Sequence, residues 1–91
     1  MKTLPDGVSS YAATAEFSEA SIPDNLLKSH STKAGTWGKI VVPEGRLRYR
    51  ILEPGIRTFE LCPGQPGIVE PEVPHEVEPA GRVRFRVEFY R

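Results

Sequence analysis

With a single cysteine the chain has no internal disulfide to staple it, and nothing in it depends on an oxidising compartment. An excess of either charge is missing too. Twelve Lys and Arg are matched by twelve Asp and Glu, and no long basic run breaks the balance, so the electrostatic footprint of nucleic-acid binding is absent. No apolar stretch reaches the length of a signal peptide or of a membrane span, the opening Met1-Lys2-Thr3-Leu4-Pro5-Asp6-Gly7 included. Nor does any segment keep a helical apolar period long enough for an amphipathic helix. P-loop, dinucleotide-binding glycines, nucleophile elbow and zinc-finger spacing are all lacking, so no nucleotide cofactor is expected. These absences predict a cytoplasmic protein that engages neither nucleic acid nor membrane.

What the chain does have is punctuation. Nine prolines and eight glycines cut 91 residues into short segments, a pattern that favours an all-β fold in one small domain, residues 1–91. Residues 1–20 read as an irregular arm with one short strand around Ala15-Glu16-Phe17. Ile22 to Lys28 can form a single helical turn starting at Pro23 or Asp24. From Thr36 onward the pattern is strand after strand. Residues 36–42 are apolar enough for burial on both faces. Gly45 is read as a turn into Arg46-Leu47-Arg48-Tyr49-Arg50-Ile51-Leu52, which alternates strictly. Arg57 to Leu61, Ile68 to Glu70 and His75 to Glu78 follow as strands. Ala80-Gly81 is read as a turn into the clearest alternation, Arg82 to Tyr90. Seven or eight short strands at turn-like spacing predict a sandwich or jelly-roll barrel, with Leu47, Tyr49, Ile51, Val83, Phe85, Val87 and Phe89 buried. A domain this small has a modest core and edges to cover, so a homodimer is expected.

Few residues carry chemistry. His75 follows Pro74 at a corner entering a strand, and its parity with Val73 and Val77 aims it inward. It serves either as a ligand for a metal or small molecule, or as a core histidine bonded to backbone. Glu72, three residues earlier in a tight turn, is a carboxylate that can converge with it or simply be solvated. His30 lies in a loop with no period to fix its direction. The rows Arg46/Arg48/Arg50 and Arg82/Arg84/Arg86 read as faces neutralised by cross-strand glutamates rather than as an anion surface. Glu88 shares the second row's parity and is a salt-bridge partner more simply than a ligand. Trp37 reads as core, and Cys62 has no neighbouring cation to make it a nucleophile.

The residues His30-Ser31-Thr32-Lys33-Ala34-Gly35-Thr36-Trp37-Gly38, Glu44-Gly45-Arg46-Leu47-Arg48-Tyr49, Pro71-Glu72-Val73-Pro74-His75 and Val87-Glu88-Phe89-Tyr90 run in family order along the chain. In them it resembles the small cupin-like domains related to the N-terminal region of the tellurite-resistance protein TehB and to the bacterial protein YeaR. That resemblance implies a cupin-like double-stranded β-helix, a jelly-roll barrel whose mouth holds a metal or a small ligand. The general cupin motifs are incomplete here. Gly45 fits the closing glycine of the first, but the usual glutamate position falls near Gly38, and His30 alone stands near the usual histidine pair. In the second, Glu72 holds the place of a glycine. The ligand set implied is therefore His30, Glu72 and His75, suited to zinc, iron, nickel or manganese. Two functions are expected from it: a domain binding a metal, small molecule or anion, linked to tellurite or oxyanion stress, or a metal-dependent dioxygenase or isomerase using the His/Glu/His site.

Overall fold

Apolar alternation runs on through Gly45 and Gly81, and in the computed structural model of residues 1–91 the backbone does the same. The four strands expected on either side of those glycines are two long ones. Six strands form: β1 (Ser10–Ala13), β2 (Phe17–Ser18), β3 (Trp37–Ile51), β4 (Arg57–Leu61), β5 (Gly67–Val69) and β6 (His75–Tyr90). A 3-10 turn at Asp24–Leu26, with Pro23 just before it, is the only helical element, as the sequence predicts. The arm is more ordered than its composition suggests, because both β1 and β2 pair with the outer edge of β6. No helix is long and apolar enough to cross a membrane.

β3 and β6 run antiparallel along their whole length, from Trp37↔Tyr90 to Ile51↔His75, and the register slips between Val41 and Glu44 and between Gly45 and Leu47. Such irregularities bend a strand and add twist. Gly45 is thus no hairpin turn but a residue inside a bent strand. Its φ of 84° and the Arg82 carbonyl lying where a Cβ would stand both require glycine. On the opposite edge of β6, beyond the last β2 pair, the Glu19 carboxylate accepts the Val83 N–H at 2.9 Å. That bond holds the Glu19 carboxyl below the usual carboxylate range.

The other edge of β3 is divided. β5 pairs with Gly38 to Ile40, and β4 pairs with Leu47 to Ile51. The hydrogen-bonded order β1-β6-β3-β4 has two free ends, so the sheet is not closed as a barrel. It bends over a core of Ile40, Val42, Leu47, Tyr49, Ile51, Leu61, Val69, Val77, Val83, Phe85 and Val87. Each of the larger of these contributes about 1.5–3 kcal/mol by leaving water. Of the alternating residues expected inside from Leu47 on, all are there except that Phe89 is half-buried and packs against the cluster. Residues 36–42 bury only one face: Gly38, Ile40 and Val42 point in, while Trp37, Lys39 and Val41 are half-exposed. Trp37 is therefore not a core residue.

The arginine rows are neutralised as expected except at Arg82, which makes no ion pair. Arg48 meets Glu78 at 2.6 Å and Arg50 meets Glu76 at 2.5 Å, each pair directly opposite across β3 and β6. Arg46 reaches Glu60, Arg84 reaches Glu16 and Glu44, and Arg86 reaches Glu88. Glu88 also accepts from the Tyr90 hydroxyl at 3.0 Å, which keeps it on the outer face.

Candidate functional site

The corner Pro71 to Pro74 delivers His75 to the first position of β6, where it is 5% exposed. Its parity does aim it inward. The Nδ1 lies 3.1 Å from the Val73 carbonyl. A carbonyl only accepts, so Nδ1 carries the proton and Nε2 keeps a lone pair. Burial, the largest influence, pushes the imidazolium below its usual pKa, against the pull of that hydrogen bond. His75 is a neutral acceptor at neutral pH.

His30 is brought to it by the backbone. The His30 N–H donates to the His75 carbonyl at 2.9 Å, and the His75 N–H donates back to His30 at 2.8 Å. This isolated antiparallel bridge sets the two rings edge to face, with centroids 5.5 Å apart. Tyr49 meets His75 in the same manner at 5.8 Å. The segment from His30 to Thr36 is further tied down by the Thr32 hydroxyl, which donates to the Thr36 carbonyl at 2.7 Å. The Glu72 N–H donates to the Thr32 carbonyl at 2.9 Å, which fastens the corner to the same segment.

Behind the two histidines lies a cavity of about 30 Å³, lined by Leu26, Gly38, Ile40, Val69, Val77, Phe85, Val87 and Phe89 with His30, Thr32 and His75. That space takes a group of roughly one or two heavy atoms. It exists because Gly38 has no side chain: a Cβ there would stand 3.1 Å from that of Val69. His30, Thr32 and Phe89 also line a wider open groove of about 400 Å³, completed by Tyr11, Ala12, Ser31, Lys33 and Thr36. The two spaces share a wall and are both lined mainly by carbon, the groove adding hydroxyls and one ammonium. Sequence reasoning missed the groove entirely. Tyr11 comes from β1, and no local pattern announces that β1 pairs beside Phe89.

Glu72 does not join the site. It is exposed, its φ of 66° belongs to the corner, and it lines neither space. A turn three residues upstream of an inward strand residue points its side chain to solvent once Thr32 holds the turn's amide. No three His, Cys, Asp or Glu side chains come together as a metal site. Two imidazoles alone do not fit a resident cupin-type metal, which needs a third fixed donor. Cys62 stands apart, its Sγ 3.5 Å from Gln65. A polar cleft of about 250 Å³ holds Ser18, Glu19, Glu44, Arg82, Val83 and Arg84; in it Arg84 pairs with Glu44 and Glu19 accepts the Val83 amide.

Residues 12–87 match the family model described as the TehB-like domain. No curated protein is closely similar in sequence. Among solved structures, TehB from Haemophilus influenzae superposes with a TM-score of 0.86 at 27% identity, over 93% of this chain and 32% of that one. The chain thus spans about a third of the length of TehB. A protein from E. coli strain K12 gives 0.89 at 18% identity, over 100% of this chain and 97% of its own. A cupin-2 domain containing protein from Shewanella frigidimarina gives 0.57 at 12% identity, over 94% and 72%. The last two are likenesses of fold, and the Shewanella protein makes the all-β architecture cupin-like.

Proposed function

We propose that this chain, which belongs to the TehB-like domain family, is a small-molecule-binding module whose ligand occupies the groove and inserts one end into the cavity beneath it. The observation that carries this is the shared wall of His30, Thr32 and Phe89, which joins an apolar cavity to a wider, mainly apolar groove with hydroxyls and one ammonium at its rim. Concave, largely apolar sites with a few converging polar groups are what small ligands use. Binding rather than turnover matches the residues. A dioxygenase or isomerase of the metal-dependent kind needs a fixed donor set around open positions, and only two imidazoles converge. Tellurite, a bare oxyanion, would use Lys33 and the hydroxyls but has nothing to place against the apolar lining, so an organic ligand matches the whole site better. A role in oxyanion stress then rests on the family alone.

The test is a titration of isotope-labelled protein with butanamide, a small neutral probe, followed by amide shifts in NMR. Shifts clustered at His30, Thr32, His75 and Phe89 are expected. Shifts confined to Glu19, Arg82 and Arg84, or none at all, overturn the reading. Dialysis after loading with zinc should leave no stoichiometric metal.

A further inference from the structure

The groove has one cation and no carboxylate in its lining. Its hydroxyls are also unequally committed. The Thr32 hydroxyl is spent on the Thr36 carbonyl, but Tyr11 and Thr36 share a single contact of 3.4 Å between their two hydroxyls. Two O–H donors with one bond between them leave one proton to offer. Lys33 and Ser31 add donors at the same rim, and the Arg91 guanidinium lies 4.1 Å over the Tyr11 ring, adding positive potential. A group that only accepts hydrogen bonds and carries negative charge suits this surface, and an ammonium ligand would find no counter-ion there. The cavity asks for the opposite. Its lining is mostly carbon, and the one buried imidazole in it has its proton turned to Val73. An ionised group would be stripped of water there with at most one ring N–H, that of His30, in the lining to replace it.

Building on the binding reading above, we infer that the ligand is a short-chain carboxylate, its head in the groove beside Lys33, Ser31 and the Tyr11–Thr36 hydroxyl pair, and its alkyl end in the cavity against Gly38, Val69 and Val87. The volume of about 30 Å³ limits the inserted part to one or two carbons.

The experiment compares acetate, propionate, butanoate and pentanoate with the corresponding primary amides, reading affinity from amide shifts at His30, Thr32 and Phe89. Carboxylates should bind more tightly than amides of equal length. Affinity should rise about fourfold for each methylene that enters the cavity and then level off. Lys33→Gln should remove about threefold or more of carboxylate affinity and leave the amides unchanged. Val87→Ile, which adds one methyl group to the cavity wall, should abolish the dependence on chain length; should it unfold, Gly38→Ala tests the same point. Equal affinity of acids and amides, or no effect of Lys33→Gln, overturns the carboxylate assignment while the binding reading stands. Length dependence that survives the filled cavity overturns the placement of the tail. Absence of shifts at these residues with every probe removes the binding reading itself.

Discussion

Two adjoining ends of one interior, in contact where the Tyr49 and His75 rings meet, are built from the same alternating strands and packed to different densities. Around Tyr49 the space is full. The Tyr49 ring lies 3.1 Å from where a Cβ on Gly67 would stand, Leu61 lies 2.7 Å from it, and the Tyr49 hydroxyl donates to the Ile68 carbonyl at 2.9 Å. Around His75 the same sheet leaves about 30 Å³ empty beside Gly38, whereas the space over Gly67 is filled by Leu61 and Tyr49. Alternation makes the fold at both ends. What differs is side-chain volume at a few inward positions, so one end supplies stability and the other supplies a site.

The largest break in that contrast is Tyr49→Ala, which should cost about 3–5 kcal/mol in urea unfolding, because a buried ring leaves a cavity the dense end cannot close. Tyr49→Phe removes only the hydroxyl and should cost about 0.5–1.5 kcal/mol. Glycine substitutions sharpen the comparison. Gly67→Ala should destabilise by about 1–3 kcal/mol through overpacking against Leu61 and Tyr49, exceeding the ~0.4–1 kcal/mol that an alanine gains from a less flexible unfolded chain. At Gly38 the contact is with Val69 at 3.1 Å and open space lies beside it. The two effects then nearly cancel, and Gly38→Ala should shift the unfolding midpoint little while reducing ligand binding. A smaller effect marks the cavity end alone. The His75 pKa is lowered in the folded protein, so on acidification through about 6.5 the unfolded chain takes up its proton first. Stability should be constant above that value, fall as the pH drops toward the folded pKa, and level below it. His75→Gln should flatten this part of the profile. Least of all, Arg46→Ala should leave the midpoint unchanged, since its pair with Glu60 at 3.4 Å is exposed on both sides.

The core was legible in sequence because period two carries direction. Leu47, Tyr49 and Ile51, or Val83, Phe85 and Val87, announce an inward face wherever the strand lies. Gly45 and Gly81 were misread as turns for a matching reason. Both have positive φ, and local sequence does not distinguish a strand that reverses from one that bends and continues. The inward aim of His75 was legible from Val77. The position of His30 depends on a single backbone bridge between a loop and a strand start 45 residues apart, which no periodicity encodes. Glu72 was drawn in by its nearness in sequence to His75, but the corner turns it outward. The groove needs β1, the His30 to Thr36 segment and β6 to meet, so it belongs to the tertiary fold rather than to any motif.

The bridge between His30 and His75 has one more property. Its two amide hydrogens are donated in opposite directions between the same two residues, so neither can reach solvent by local breathing of its own strand unless the other's bond opens too. Exchange with deuterium at both positions therefore reports one event, the lifting of the His30 segment away from the start of β6. Matched exchange rates at these two amides would time the opening of the groove's floor directly, and a ligand seated across it would slow both by the same factor.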